Sequence, residues 1–432
     1  MYPELSESER FPILTQRGRE LLYRMRQHPN APIWNWPNGE QLDQAGLHRV
    51  QSFANALNDV ALRSTQVQPT WLTSYVERCL HEVPFYRKRS RPGTSFQSIP
   101  PCSRADLAPR VWEFVPDSEP LNQTIVFSSS GTSGYPTRTP HHPYSAACGV
   151  PLIEFALRSL YNIALPRGPE HVAITNVAAY PGAFTTAIVV AYLNEAGCVR
   201  VNLHPSAWRS IDDCSRFIQE WQAPIWLGDP VAFGSLEQID VGYAPKAIVS
   251  SIMHLSEGYA SKLSHRYGCP VLDLYAMTEA GIIAVRTNDG HRILSHDLHI
   301  EILDANDQPC PPGAQGEITL TGGRNPFLPL LRYRTGDFAS LVSHNGQRLL
   351  VDFHGREPTE YRTASGAVIH SMEVTRLMRL HPVLRYEMKQ RAEGGFEMVY
   401  DGDIDSTKLQ NQLRELFGEP VELVNAEFEV KK

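Results

Sequence analysis

Short β-rich runs alternate with helical stretches between residues 171 and 275, and this alternation constrains the fold more than any other feature. The runs are HVAITNV, CVRVNL, PIWLGD, KAIVSS and PVLDLY. A strand followed by a crossover helix and a second strand builds a parallel sheet from βαβ units. The sequence therefore predicts an α/β fold centred on a parallel sheet.

Three regions of the chain differ in their patterns, and they define the predicted domains. Residues 1–70 contain two amphipathic stretches, TQRGRELLYRMRQHP and LHRVQSFANALNDVAL. They predict an N-terminal helical extension that serves as a cap or as a packing surface, including one between subunits. Residues 71–353 hold the core, which includes a predicted hairpin, HIEILDANDQPCPPGAQGEITLTG. Residues 354–432 predict a small α+β domain with the helices MEVTRLMRL and STKLQNQLRELFG.

Composition and charge exclude several classes of protein. With 40 Lys and Arg against 47 Asp and Glu, the formal net charge is −7, which argues against binding to nucleic acid or, through a polybasic segment, to a membrane. The best candidate for a membrane span, AFTTAIVVAYL (183–193), is shorter than the roughly 18–20 apolar residues required and is interpreted as a buried helix. The seven cysteines are scattered and odd in number, and the acidic N-terminus is no secretory signal, so we predict a reducing, cytoplasmic setting.

A loop of small residues, SSSGTSGYPTR (128–138), follows an apolar strand. Glycine allows close approach of the backbone, and the exposed N–H groups and hydroxyls favour an anion such as a polyphosphate. Gly134 is followed by Tyr-Pro and not by Lys, so the loop is not a Walker loop, and a phosphotransferase of that type is excluded. A flexible turn is the alternative. His141 and His142 follow closely and are interpreted as a surface turn in preference to a phosphate contact.

Two downstream segments strengthen the nucleotide hypothesis. LDLYAMTEAG (272–281) places Thr278 and Glu279 just after a strand, where a carboxylate can hold Mg²⁺ together with phosphate oxygens. LLRYRTGDFASL (330–341) carries Arg332, Arg334 and Asp337, and an aspartate there can accept both ribose hydroxyls. The alternatives are a turn-capping role for Asp337 and a solvated or salt-bridged surface for the two arginines.

Five motifs in this order resemble the adenylate-forming (AMP-binding) superfamily, and within it the phenylacetate–CoA ligase branch. They are EVPFYRKR, CSRADL, SSGTSGYPT, YAMTE and PLLRYRTGD, and the resemblance covers residues 71–432. It implies a large N-terminal domain of mixed sheets and helices with a small α+β C-terminal lid domain. It also implies ATP- and Mg²⁺-dependent conversion of a carboxylic acid to an acyl-adenylate, followed by acyl transfer to CoA or to a carrier-protein phosphopantetheine. The branch includes ligases of antibiotic biosynthesis.

The resemblance implies a role for each residue that matches a motif. Thr278 would touch the α-phosphate, Glu279 would hold Mg²⁺, Tyr275 would stack on adenine, Asp337 would bind the ribose, and Arg356 would reach the ribose or a phosphate. For Tyr275, an ordinary core tyrosine is the alternative. The residues that would wrap the β- and γ-phosphates are Ser129, Ser130, Gly131, Thr132, Ser133 and Gly134.

The acyl pocket and the catalytic lysine rest on looser matches. Tyr180 and Phe184 lie in NVAAYPGAFTTA, which corresponds to the stretch that lines the acyl pocket in the branch. They would suit an aryl or other flat apolar acid, or they are core packing. Lys431, or Lys432, is the candidate for the catalytic lysine of the C-terminal domain, unless that lysine is missing.

Two departures from the family pattern keep a second function open. The segment that meets adenine reads VSSIMHLSEG (249–258), and Pro358 stands at the hinge before the small domain, where it fixes φ. A degenerate homologue that binds a nucleotide or acyl-adenylate without full ligase activity is therefore the alternative. The predicted partners are a small carboxylic acid, an acyl carrier protein and a second copy of the chain, with the acid and the acceptor left open.

Overall fold

The computed structural model describes residues 5–37, 39–60, 68–129, 137–294, 296–344, 346–355, 359–391 and 394–426. The helices in these ranges are α1 (Glu7–Arg10), α2 (Gln16–Arg26), α3 (Gln44–Val60), α4 (Leu72–Glu82), α5 (Pro84–Arg89), α6 (Arg104–Leu107), α7 (Pro143–Ala147), α8 (Gly149–Tyr161), α9 (Ile211–Trp221), α10 (Pro230–Leu236), α11 (Glu257–Tyr267), α12 (Ser371–Arg379) and α13 (Ser406–Phe417).

The strands fall into four sheets. They are β1 (Ile125–Ser129), β2 (Thr137–His141), β3 (Val172–Ala178), β4 (Thr186–Val190), β5 (Ala196–Asn202), β6 (Ile225–Gly228), β7 (Ala247–Ser250), β8 (Val271–Met277), β9 (Gly281–Thr287), β10 (Gly290–Ile293), β11 (Leu298–Leu303), β12 (Gln315–Gly322), β13 (Leu330–His344), β14 (Gln347–His354), β15 (Glu360–Arg362), β16 (Val368–His370), β17 (Val383–Gln390), β18 (Phe396–Gly402) and β19 (Val421–Asn425).

A twelve-stranded mixed sheet forms the large domain, with the order β11-β12-β13-β14-β10-β9-β8-β7-β6-β3-β5-β4. Neighbouring strands among β5, β3, β6, β7 and β8 run parallel, and they are the five runs from which the parallel sheet was predicted. From β8 onward the pairing is antiparallel, and β11 with β12 forms the predicted hairpin. The predicted α/β fold class is confirmed.

The prediction of a buried helix over residues 183–193 is wrong. This segment forms β4, which pairs antiparallel with β5, followed by a short 3₁₀ turn over Ala191–Leu193. The run is rich in β-branched residues, which favour strands. It is also buried along most of its length, and a short buried apolar run gives no periodicity that separates a strand from a helix.

Residues before position 70 pack on the chain's own sheet. Helix α2 buries Leu21, Leu22 and Met25 against β4 and β5, while α3 packs beside α8. Backbone hydrogen bonds join Ile33 to Ala207, at 2.7 Å between N and O. The region therefore contributes to the core of the large domain, and the predicted boundary at residue 70 stays a prediction.

The C-terminal unit has its own core, as its predicted α+β composition requires. Its three-stranded sheet has the order β17-β18-β19, and the β15–β16 hairpin forms a separate two-stranded sheet. Helices α12 and α13 correspond to the two predicted helices, and they bury Val374, Met378, Leu409 and Leu413 against this sheet. A small α+β domain thus follows the large sheet.

The small domain contacts the large one through a close backbone approach. Gly258, in α11, lies against the backbone of His381, and Ser256 donates a hydrogen bond to the carbonyl of Val383, with 3.0 Å between Oγ and O. Leu384 packs against the core of the large domain. A side chain at position 258 would enter this contact, because its Cβ would stand 2.3 Å from the carbonyl carbon of His381.

We expect Gly258→Ala to displace the small domain. The clash is with backbone atoms, which cannot rotate away, and overpacking of this kind costs about 1–3 kcal/mol. Hydrogen–deuterium exchange should become faster in β17 and in the turn that precedes it. Gly149→Ala is the matched control, because a Cβ at that helical glycine meets no atom within 4 Å. Unchanged exchange in Gly258→Ala would contradict the prediction.

Candidate active site

A cleft of about 1450 Å³ opens beyond the carboxyl end of β8. In open α/β sheets, ligands bind beyond the carboxyl ends of the parallel strands. The large domain lines the cleft with five segments, and the β15–β16 hairpin of the small domain adds Glu360 and His370. The five segments span residues 103–105, 276–279, 303–305, 315–317 and 334–338, and the single residues Ile252 and Gly355 complete the lining.

The cleft contains the Thr-Glu pair that was predicted from YAMTE. Thr278 and Glu279 follow β8 directly and line the cleft. Glu279 is only 4% exposed, and the hydroxyl of Tyr333 donates a hydrogen bond to its Oε1 at 3.1 Å. Burial raises the pKa of Tyr333 well above its usual value, and nearby Glu279 raises it further, so the phenol remains a proton donor at neutral pH. Tyr333 therefore fixes the orientation of the Glu279 carboxylate.

Asp337 also lines the cleft and is held by a second buried tyrosine. The hydroxyl of Tyr275 donates to Oδ2 of Asp337 at 2.8 Å. Tyr275 itself is 9% exposed and packs edge-to-face on Phe353, with 4.7 Å between ring centroids. The structure thus places Tyr275 in the core behind Asp337 and outside the described lining of the cleft. Its predicted contact with adenine stays a prediction.

The two arginines of RYRTGD have different positions. Arg332 is 1% exposed and donates to the carbonyls of Gln97 and Ile99, with nitrogen–oxygen distances of 2.9 and 2.7 Å. The alternative of a surface arginine is therefore wrong for Arg332. Arg334 lines the cleft and pairs with Glu317 and Asp307, as the salt-bridged alternative predicted.

Arg104 is a cleft residue that the sequence did not single out as functional. It stands at the start of α6, and its Nε donates to Oγ1 of Thr137 at 3.2 Å. It is also close enough to Tyr333 to lower the pKa of that phenol slightly against the effect of burial. The signal in the sequence is the capping box that Ser103 and Asp106 form, because it starts a helix at Arg104. The cleft therefore has a cation close to Glu279.

Ile252 lies at the cleft in a strained conformation. Its φ is +79°, and its side chain is 78% exposed. A β-branched residue is a genuine outlier at positive φ, and such strain costs about 1–3 kcal/mol and clusters at ligand sites. The residue belongs to VSSIMHLSEG, where the family pattern predicts the adenine contact. The departure from the family pattern therefore coincides with local strain.

We expect Ile252→Gly to raise the free energy of unfolding by about 1 kcal/mol, because glycine adopts positive φ without strain and this gain exceeds its entropic cost. The midpoint of urea denaturation measures the change. Ile252→Val is the control, because valine retains the β-branch and the strain. A glycine variant that is no more stable than the valine variant would argue against strain at this position.

The two predicted walls of the acyl pocket lie elsewhere on the same sheet edge. Tyr180 and Phe184 follow β3, three strands from β8, which corresponds to about 14 Å. The guanidinium carbon of Arg200 stands 3.8 Å from the ring centroid of Phe184. Burial lowers the pKa of Arg200, and nearby Tyr180 acts in the opposite direction. Neither aromatic residue is among the described residues that line the cleft. Their role in acid binding stays a prediction.

The paired histidines do not form the expected surface turn. His141 is buried in β2, where it hydrogen-bonds Thr139 at 3.0 Å, and burial lowers its pKa to about 4. His142 precedes α7, and its Nδ1 accepts a hydrogen bond from the backbone of Tyr144. Pro140 and Pro143 on either side of the pair are residues typical of turns. In the structure, however, β2 continues through Pro140 and pairs with β1.

Several predicted residues lie outside the described residues. They are Ser130, Gly131, Thr132, Ser133, Gly134, Arg356, Pro358, Lys431 and Lys432. The ends of the glycine-rich loop are described, because the backbone of Ser129 pairs with that of Thr137 across β1 and β2. The hydrogen bond from Arg104 to Thr137 brings one end of the loop to the cleft. The described end of the predicted phosphate loop at Thr137 therefore lies beside Arg104 of the cleft.

The described residues suit magnesium held partly by phosphate. They contain no group of three or more His, Cys, Asp or Glu that could hold a metal ion by itself. Mg²⁺ in nucleotide sites needs only one or two carboxylates together with phosphate oxygens, and Glu279 supplies one carboxylate. All seven cysteines are free. Across the described ranges, no helix combines the length and the apolar character that crossing a membrane requires.

Comparisons with known proteins agree with this geometry, although no family model matches the chain. The phenylacetate-coenzyme A ligase of Escherichia coli (strain K12) is 21% identical over 370 residues, which cover 79% of this chain and 80% of the relative. A salicylyl-CoA synthase / salicylate adenylyltransferase of Streptomyces sp. is 25% identical over 315 residues, covering 66% and 53%. The chain is thus similar to ligases of the phenylacetate–CoA ligase branch of the adenylate-forming superfamily. The resemblance predicted from the five motifs is confirmed.

Solved structures of 2-hydroxyisobutyryl-CoA ligase share the fold of this phenylacetate–CoA ligase-like chain. The postadenylation state in complex with 2-HIB-AMP has a TM-score of 0.60 at 16% identity, covering 90% of this chain and 88% of the ligase. An open conformation in complex with 2-HIB-AMP and CoA has a TM-score of 0.52 at 17% identity, covering 94% and 99%. Both the large sheet and the small C-terminal domain are therefore part of the shared fold.

Proposed function

We propose that this chain activates a carboxylic acid with ATP through an acyl-adenylate and transfers the acyl group to a thiol, that of CoA in the first place. The observation that carries the proposal is the convergence of Thr278, Glu279 and Asp337 on one cleft. YAMTE supplies Thr278 and Glu279, which follow β8, and PLLRYRTGD supplies Asp337, which lies in β13. The fold brings the two motifs together. The ligase names of the sequence relatives support an acid–thiol ligase.

The first step needs positioning and charge neutralisation more than covalent help. An oxygen of the acid attacks the α-phosphorus, the bond to the bridging oxygen breaks, and pyrophosphate leaves. Thr278 can donate its hydroxyl to an α-phosphate oxygen, and Glu279, oriented by Tyr333, is the residue that would hold Mg²⁺. The metal would neutralise phosphate charge. Asp337, oriented by Tyr275, would accept the ribose hydroxyls.

The remaining residues fit the same reaction. Arg104 places a guanidinium at the cleft, where it can balance the charge that develops on the phosphates. The loop 129–134 would supply backbone N–H groups and hydroxyls to the β- and γ-phosphates. In the second step the thiol sulfur attacks the acyl carbon and AMP leaves. Arg356 and Lys431 remain the proposed contacts from the small domain.

The acid is proposed to be aryl or otherwise flat and apolar. Tyr180 and Phe184 would contact its ring, and the names of the phenylacetate and salicylate relatives support this class. A carrier-protein phosphopantetheine remains the alternative acceptor, and a cytoplasmic enzyme of natural-product biosynthesis, acting as a homodimer, fits the whole proposal.

One observation favours the second candidate, a degenerate homologue that binds a nucleotide or acyl-adenylate without full ligase activity. Ile252 replaces the expected adenine-binding residues and is strained. Pyrophosphate release in the presence of hydroxylamine, which traps the activated acyl group, separates the two candidates across a panel of aryl, aliphatic and amino acids. We expect release with aryl acids first. Release with none of the acids, together with measurable nucleotide binding, would favour the degenerate homologue.

We expect Glu279→Gln to lower the rate of adenylation at least about 100-fold, because losing a metal-binding carboxylate removes several kcal/mol of transition-state stabilisation. The glutamine oxygen can still accept the hydrogen bond from Tyr333, so the thermal unfolding midpoint should change little. Glu415→Gln, at an exposed position of α13, is the charge-matched control. Adenylation within a few-fold of the unaltered rate would remove Glu279 from the mechanism.

A further inference from the structure

A second cavity lies between the large domain and helix α12, apart from the cleft. Its volume is about 160 Å³, and it is lined by the turn between β9 and β10, by the end of β14 and by α12. A cavity of about 150 Å³ holds a ligand the size of benzene, so this one has room for a small polyatomic ion. None of the described residues that line it also lines the cleft.

Three arginines converge on the cavity from the two domains. Arg286 extends from β9, whereas Arg376 and Arg379 extend from α12. Each pairs with one carboxylate, and the partners are Asp273, Asp352 and Glu257 in that order. A guanidinium has five N–H donors. The hydrogen bonds among the described residues use only part of each set.

Three histidines line the same cavity, and they interact electrostatically with these arginines. Burial lowers the pKa of His254 to about 4 and that of His291 to about 3, and in both cases Arg286 lowers the pKa further. Burial and then Arg376 lower the pKa of His354. The Nε2 atom of His354 is buried and has no hydrogen-bond partner among the described residues. The cavity therefore presents a buried ring nitrogen whose hydrogen-bonding capacity a ligand could satisfy.

We propose that this cavity binds a phosphate group, either free phosphate or the phosphomonoester of a larger ligand. Phosphate oxygens accept hydrogen bonds, and they match the donors of three guanidinium groups and the ring N–H groups of the histidines. The two carboxylates in the lining, Asp289 and Asp352, are exposed, so their repulsion of the ligand is screened.

A phosphate at this position would join the two domains. It would contact Arg286 and His291 of the large domain and Arg376 and Arg379 of the small domain, and so favour the present arrangement of the two. If the proposed ligase function holds, CoA is one source of the group, because it carries a 3′-phosphate. Only this choice of ligand rests on the proposed function, and binding of free phosphate does not.

Calorimetric titration of the full chain with inorganic phosphate, CoA and dephospho-CoA tests the proposal. We expect Arg376→Gln and Arg379→Gln each to weaken phosphate binding about tenfold, as the loss of a charge-assisted hydrogen bond predicts. The control is Arg414→Gln, which removes an exposed arginine of α13 outside the cavity and should leave the affinity unchanged. Thermal unfolding checks that all three variants fold.

The outcomes distinguish the two sources without any measurement of turnover. Tighter binding of CoA than of dephospho-CoA, with the difference lost in the Arg376 and Arg379 variants, identifies the phosphomonoester of CoA. Cavity-dependent binding of inorganic phosphate, with equal affinity for CoA and dephospho-CoA, identifies free phosphate. The proposal is overturned if none of the three probes binds, or if the Arg376 and Arg379 variants bind phosphate as tightly as the Arg414 control.

Discussion

The buried guanidinium of Arg332 ties the segment before α6 to strand β13, and the cleft depends on this tie. Arg332 donates to the carbonyls of Gln97 and Ile99, and the backbone of Cys102 bonds Arg332 and Arg334 on either side. A buried arginine that lost these acceptors would carry a large desolvation cost. The tie holds Arg104 at a fixed distance from Tyr333 and Asp337, which are residues of the same strand. Groups that are proposed to act on the nucleotide are thus positioned by a residue that is not among the described residues lining the cleft.

The parts of the fold that the sequence predicts well are those in which local pattern and tertiary structure agree. The five β-rich runs are parallel strands in the structure, and the two C-terminal helices lie where their spacing predicts them. Residues 183–193 contain a strand where a helix was predicted, because a strand buried on both faces shows no alternation of apolar and polar residues. His141 was misplaced because its burial follows from pairing with β1, and pairing between strands is not a local property.

The site was predictable in its motifs but not in its supporting contacts. Thr278, Glu279 and Asp337 meet as their motifs predict. That Tyr333 orients Glu279 and Tyr275 orients Asp337 depends on the register of β13 against its neighbours, which the sequence does not state. Arg104 reaches the cleft only because residues 96–103 are tied to β13. The position of Tyr180 and Phe184 relative to the cleft depends in the same way on distant segments. The motifs alone therefore do not predict it.

The far end of the large sheet is closed by the N-terminal region. Strand β4 is the last strand of the sheet, yet Arg26 donates to the carbonyl of Ala187, and the carboxylate of Glu40 accepts from the backbone N–H of Ala191. The backbone N–H of Trp36 donates to the carbonyl of Thr185, just before β4. An unpaired edge strand is a template for pairing with another chain. The described part of the first forty residues therefore supplies hydrogen-bond partners at and beside this edge strand, where a strand of another chain would otherwise pair.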